Sequence, residues 1–293
     1  MNSRIYQNKK PLFFFLVPAF LFMVVFLFYP FVQNIFNSFL QITGMGEPAK
    51  GVLDPWYANY ATMFQDPNML TALKNTLIVM VCTVIFQVGI ALVLAILVDN
   101  IRAGAQFFRT VYFFPIVISA TALGLLFNLI FLYNGGMVNQ LVAALGHGKI
   151  DWKSGGLQLV TMLLPVMWQY VGFYFVILVT GLNNIDPELY EAAEIDGASR
   201  MQRITHVTLP LLKPVIATCV VLAVTGALKV FDLPWVMFPN GMPENTTWLT
   251  GTYMYFQTTV AGDVDYGSAI AVLIVVLGIC VSLVINKLTA EKE

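Results

Sequence analysis

Six apolar runs, each about as long as a helix needs to cross roughly 30 Å of hydrocarbon, constrain this chain more than anything else in its sequence. They lie near residues 11–33, 73–98, 109–132, 157–180, 213–238 and 268–286. Of the 293 residues, 58% are hydrophobic and 11% charged. A typical soluble domain holds about 45 to 50% apolar and 25% charged residues, so water is not the main solvent for this chain. The first run follows Lys9 and Lys10. It is too long for the apolar core of a signal peptide and no small-residue cleavage site follows, so it is expected to remain as a span.

The basic residues give the orientation, because cytoplasmic loops hold the excess of Lys and Arg. With the N-terminus inside, Arg4, Lys9, Lys10, Arg102, Arg109, Arg200, Arg203, Lys213, Lys287 and Lys292 fall on the cytoplasmic side. Lys50, Lys74, Lys149 and Lys153 fall outside, with the interfacial aromatics Trp56, Tyr57, Tyr60 and Trp152. The expected fold is therefore an all-α integral membrane bundle of six spans with both termini cytoplasmic. Residues 1–293 are expected to form a single transmembrane domain, since no loop is long enough to build a core of its own.

Several function classes drop out. A net charge of -1 and the lack of a continuous basic stripe give no basis for nucleic-acid binding. Cys82, Cys219 and Cys280 sit within apolar runs without CxxC spacing and read as small hydrophobes. His147 and His206 lie on opposite sides of the expected membrane, and neither HExxH nor GxSxG occurs. The nearest approach to a phosphate loop, Gly146-His147-Gly148-Lys149, continues into Ile150. Neither a cofactor nor a metal is expected on this chain.

The connector between the fourth and fifth runs, about residues 181–213, holds two consecutive helix signals. Asp186 caps a first helix with Pro187 at its first position and Glu188 in its first turn, and Gly197 ends it. Ser199 and Gln202 form a capping box for a second helix, in which Met201, Ile204 and Val207 recur at threes, and Pro210 is expected to close it. Helices this short need a surface to lie against. Ala192 and Ala193 leave room for a partner, and Glu188, Glu191, Glu194 and Asp196 make the approach acidic. An amphipathic connector lying on the bilayer is the alternative.

Glu191-Ala192-Ala193, then Gly197, then Val207-Thr208-Leu209-Pro210 resemble the cytoplasmic loop of ABC importer permeases, Glu-Ala-Ala, Gly and Ile-x-Leu-Pro at these spacings. Val207 replaces the usual Ile. The likeness extends to the carbohydrate-type subgroup through Asn59-Tyr60, Asp66-Pro67, Arg109, Tyr112-Phe113-Phe114-Pro115, Trp168-Gln169, Gly181-Leu182, Phe231-Asp232 and Tyr266-Gly267. Residues 239–247 depart from that pattern. The resemblance implies a type I ABC importer permease in a bacterial or archaeal plasma membrane. It pairs with a second, homologous but non-identical permease, two ATPase subunits that carry ATP and Mg, and an extracytoplasmic binding protein. It also implies that Glu191, Ala192, Ala193, Asp196, Gly197 and Ala198 belong to a coupling helix, residues 187–204, seated on the ATPase. Ion-coupled secondary transport is the rival; no internal repeat of the kind common in such proteins is evident.

Polar side chains inside spans are costly and usually face a bundle interior or a watery path. Gln87, Asn128, Trp168, Gln169, Tyr170 and Asp232 are candidates for such a path, with Phe173, Tyr174, Phe231 and Trp235 supplying ring faces suited to a sugar. Structural roles compete with this one. Gln87 and Asn128 can serve as interhelical hydrogen-bonding groups, and Lys229 and Asp232 as an i, i+3 ion pair.

Overall fold

The computed structural model describes residues 10–99, 105–242 and 245–289. Arg4, Lys9, Arg102, Pro243, Glu244 and Lys292, which figure in the expectations above, lie outside the described residues. Helices dominate, and the isolated bridge between Leu40 and Val52 is the only extended pairing among the described residues.

Helix α1 runs through Lys10–Met23, a π turn Val24–Phe28 and Tyr29–Asn37; α2 is the short Ala58–Met63. Helix α3 comprises Pro67–Cys82, a π turn Thr83–Val88 and Gly89–Asp99. Helices α4 (Ala105–Val117) and α5 (Ala120–Ile130) meet at a bend of 92°. Then come α6 (Met137–Ala144), the long α7 (Gln158–Leu182) and the short α8 (Pro187–Ile195). Helix α9 joins Arg200–Arg203, a π turn Ile204–Thr208 and Leu209–Ala227, and α10 is Asp232–Met237. Helix α11 (Thr250–Tyr255, then a π turn Phe256–Ala261) precedes α12 (Val264–Thr289). Among the described residues, five helices are long and apolar enough to span a membrane, and a sixth span is counted when α4 and α5 are taken together.

Four of the expected spans are built differently from a plain helix, α3 through the π turn Thr83–Val88. The run 109–132 is broken at Ile118-Ser119, the two residues beyond the end of α4. Helix α4 holds Pro115, which has no N–H for the Val111 carbonyl, and Ser119 caps the second half by accepting from the Ala122 N–H at 3.1 Å. The run 213–238 stops at Ala227 and restarts at Asp232. A continuous helix would need a donor at Pro234 for the carbonyl of Val230, and proline has none. Pro210, expected to close a helix, instead lies inside α9. The preceding turn is bonded i to i−5, with the Leu209 N–H on the Ile204 carbonyl, and this wider turn absorbs the proline ring. Pro30 follows the π turn of α1 in the same way, with the Tyr29 N–H on the Val24 carbonyl.

The described residues divide into two compact units. One holds those up to Gln65 together with Met254–Leu273. Within it Asn34 Nδ2 donates to the Ser268 carbonyl at 3.3 Å, the Ser38 and Tyr60 hydroxyls lie 2.8 Å apart, and Asn59 Nδ2 donates to Asp265 Oδ2 at 3.3 Å. The other unit holds Asp66–Tyr253 and the residues from Ile274. Its two apolar cores form around Leu123, Met162, Leu233 and Leu249, and around Ala91, Ala95, Phe175 and Leu212. Helices α4 and α7 approach so closely that a Cβ on Gly172 would overlap the Tyr112 carbonyl oxygen, the small-residue packing on which membrane helices rely.

Candidate translocation cavity and coupling segment

The middle of α7 presents Gln169, Tyr170, Phe173 and Tyr174, which fall one helical turn apart in pairs and so share a face. That face opens on a cavity of about 230 Å³ in the second unit. Gln87, from the π turn of α3, enters it from one side, and Phe231, from the gap between α9 and α10, and Asp232, the first residue of α10, enter from another. Seven of the ten residues singled out for a pathway thus line one space: Gln87, Gln169, Tyr170, Phe173, Tyr174, Phe231 and Asp232.

The two glutamines are fixed in place. Gln87 is 2% exposed and its Nε2 donates to the Val166 carbonyl of α7 at 2.8 Å. Gln169 is 6% exposed and its Nε2 reaches the Ile118 carbonyl, freed by the break between α4 and α5, at 3.4 Å. Interhelical bonding and cavity lining are therefore both roles of these side chains.

The other three residues lie elsewhere. Trp168 is on the opposite side of α7, packed edge-on to Phe127 at 5.8 Å, and lines an apolar groove of about 880 Å³ with Cys82, Phe86 and Met167. Adjacent helical residues point about 100° apart, and here that step puts Trp168 on the groove and Gln169 on the cavity. Asn128 accepts a hydrogen bond from Lys153 Nζ, which also lies 5.7 Å from the Phe238 ring centroid. Burial lowers the pKa of the Lys153 amine, and the charge of Asp151 opposes that shift. Trp235 stacks on Phe231 at 5.8 Å and so supports the cavity wall from behind.

Lys229 and Asp232 form no ion pair, because the unwound residues between them break the i, i+3 register. Both are exposed and both face the cavity. Thr83 and Gly226 are among the lining residues that were not anticipated. Thr83 precedes Gln87 by four positions, and that shared helical face was the available signal.

The connector after α7 follows its sequence signals closely. Asp186 Oδ1 accepts from the Glu188 N–H at 3.0 Å, with Pro187 at the first helical position. At the other end Gly197 has φ +76°, its N–H reaches the Glu194 carbonyl at 3.0 Å, and the Ala198 N–H reaches the Ala193 carbonyl at 2.9 Å. These two bonds make a Schellman motif, which needs a left-handed residue at Gly197. One residue further on, the Ser199 N–H donates to Gln202 Oε1 at 2.8 Å and the Gln202 N–H to Ser199 Oγ at 3.4 Å. Glu188, Glu191, Ala192, Asp196 and Gly197 are exposed, and Ala193 and Ala198 half-buried. Ile195 is 86% exposed and Met201 69%, an apolar pair within an acidic surface. That combination suits a protein partner better than water alone.

A model of the family described as "Binding-protein-dependent transport system inner membrane component" matches residues 88–291. The chain belongs to that family. Relatives of this inner membrane component extend over nearly its full length. The probable ABC transporter permease YurN of Bacillus subtilis (strain 168) is 32% identical over 286 residues, 96% of each chain. The arabinooligosaccharides permease AraP of the same strain is 30% identical over 291 residues, 98% of this chain and 90% of AraP. The sulfoquinovosyl glycerol permease SmoG of Agrobacterium fabrum is 31% identical over 281 residues, 95% of this chain and 90% of SmoG. The fold matches a chain in the crystal structure of a bacterial ABC transporter involved in the import of the acidic polysaccharide alginate, with TM-score 0.84, 22% identity and 98% of both chains covered. The protein is thus a multi-pass permease subunit of an ABC transport system.

Proposed function

We propose that this permease lines the path of an importer for a sugar or oligosaccharide, delivered by an extracytoplasmic binding protein and driven by separate ATPase subunits. The supporting observation is the cavity itself. Two amides, two phenols and aromatic ring faces surround about 230 Å³, a lining that offers hydrogen bonds to hydroxyls and flat apolar contact to a pyranose face. Relatives named for arabinooligosaccharides and sulfoquinovosyl glycerol support the same class. In this reading both termini and the 187–204 segment are cytoplasmic, in a bacterial or archaeal plasma membrane. Glu191, Ala192, Ala193, Asp196, Gly197 and Ala198 meet the ATPase there, and the partner subunits carry ATP and Mg. A second, homologous permease encloses the other side of the path. The chain itself has no enzymatic role.

Closure of the two ATPases on ATP draws the coupling segments together and turns the path outward to accept the sugar. The test is oligosaccharide uptake by the assembled transporter in proteoliposomes. Tyr170→Ala and Phe173→Ala should each lower uptake about tenfold, ~1.4 kcal/mol, while the complex still assembles. Unchanged uptake by both variants would remove the cavity from the path.

A further inference from the structure

A second, smaller cavity of about 200 Å³ lies between α8, the start of α9 and the ends of α3 and α7. Arg200, Arg203, Tyr190 and Thr208 supply its polar wall, and Ile96 and Leu182 its apolar one. Arg203 is half committed, with Nη1 donating to Glu194 Oε2 at 3.1 Å. Arg200 has no acidic partner within 4.0 Å among the described residues. The Thr208 hydroxyl donates to the Arg203 carbonyl at 3.4 Å and accepts from the Tyr190 hydroxyl at 3.1 Å, so both protons are engaged and the two guanidiniums supply the donors of the wall.

Among the described side chains, two guanidiniums against one carboxylate leave the wall net positive with donors in excess of acceptors, the arrangement that suits a tetrahedral phosphate. Its position narrows the source. Leu182 ends the span formed by α7, and Ile96 lies two residues from the end of the span window Pro67–Val98. Both mark the level at which apolar helices give way to water, where lipid headgroups sit. We propose that this cavity binds the phosphate group of an anionic phospholipid. The bound headgroup ties the start of α9 to the ends of α3 and α7 and so braces the coupling segment.

The test uses the assembled transporter in nanodiscs of phosphatidylcholine with or without phosphatidylglycerol, and counts retained phosphatidylglycerol by native mass spectrometry. Wild type should retain phosphatidylglycerol that Arg200→Gln and Arg203→Gln lose, with Arg200→Lys retaining part of it. Lys287→Gln, which removes an exposed cation elsewhere, should retain as much as wild type. Equal retention by wild type and both glutamine variants would overturn the proposal. Inorganic phosphate that raises the thermal midpoint of wild type in pure phosphatidylcholine, and not that of Arg200→Gln, would assign the cavity to a soluble phosphate and overturn the lipid assignment. Counting lipid needs neither sugar nor ATP, so failure here leaves the transport reading standing, and failure of that reading leaves this one testable.

Discussion

At residue scale, the positions legible in the sequence are those whose chemistry is settled within a few neighbours. Asp186 with Pro187, Gly197, and Ser199 with Gln202 each answer a local shortage of backbone partners, and each sits where its type demands. Asn128 was not legible, because its partner Lys153 comes from a loop 25 residues away. Gly197 gives the sharpest test. At φ +76° a branched residue costs about 1–2 kcal/mol or more in a left-handed conformation, so Gly197→Val should distort the bend between α8 and α9. ATP hydrolysed per sugar imported should rise severalfold while membrane insertion is kept; an unchanged ratio would contradict a coupling role. Asp263 gives a pH dependence. Partial burial, then the hydrogen bond and charge of Asp265, push its carboxyl up to about 6, against a smaller opposing effect of the Tyr266 backbone N–H. Its folded pKa lies above the ordinary value, so the contribution to stability is fully present below about 4 and lost as pH rises through about 6. The thermal midpoint of wild type relative to Asp263→Asn should therefore fall between about pH 4 and 7. Parallel profiles would show that Asp263 does not titrate there.

At element scale, the existence of the spans was legible from run length alone, and their interruptions were not. Pro115, Pro210 and Pro234 all stand in the sequence, yet the first and third accompany breaks whereas the second rides on a π turn. Which outcome follows depends on whether neighbouring helices supply partners for the freed carbonyls, as Gln169 does for Ile118. Helix α7 also separates two residues that adjacency had joined. Gln169→Ala should lower sugar uptake, since it removes both a cavity amide and the contact that holds the α4–α5 break. Trp168→Ala, on the groove side, should leave uptake within about twofold in the assembled transporter. Equal losses from the two variants would mean that α7 is not the divider between cavity and groove.

At the scale of the whole molecule, much apolar surface is left without a protein partner in this single chain. No side chain described in 13–37 is buried, and the groove beside Trp168 is open. Such surface needs lipid or another protein to cover it. In the proposed reading the segment 187–204 makes the same demand of a soluble partner, with an exposed acidic and apolar face held at both ends by caps. The most direct measurement is affinity purification of the tagged chain from native membranes in mild detergent, with stoichiometric partners identified by mass spectrometry. A soluble protein bearing a phosphate-loop ATPase motif should co-purify with a second permease, and should be lost when Glu191 and Gly197 are altered together. Recovery of the chain alone, or only with copies of itself, would contradict the ATP-driven importer and leave ion-coupled transport in its place.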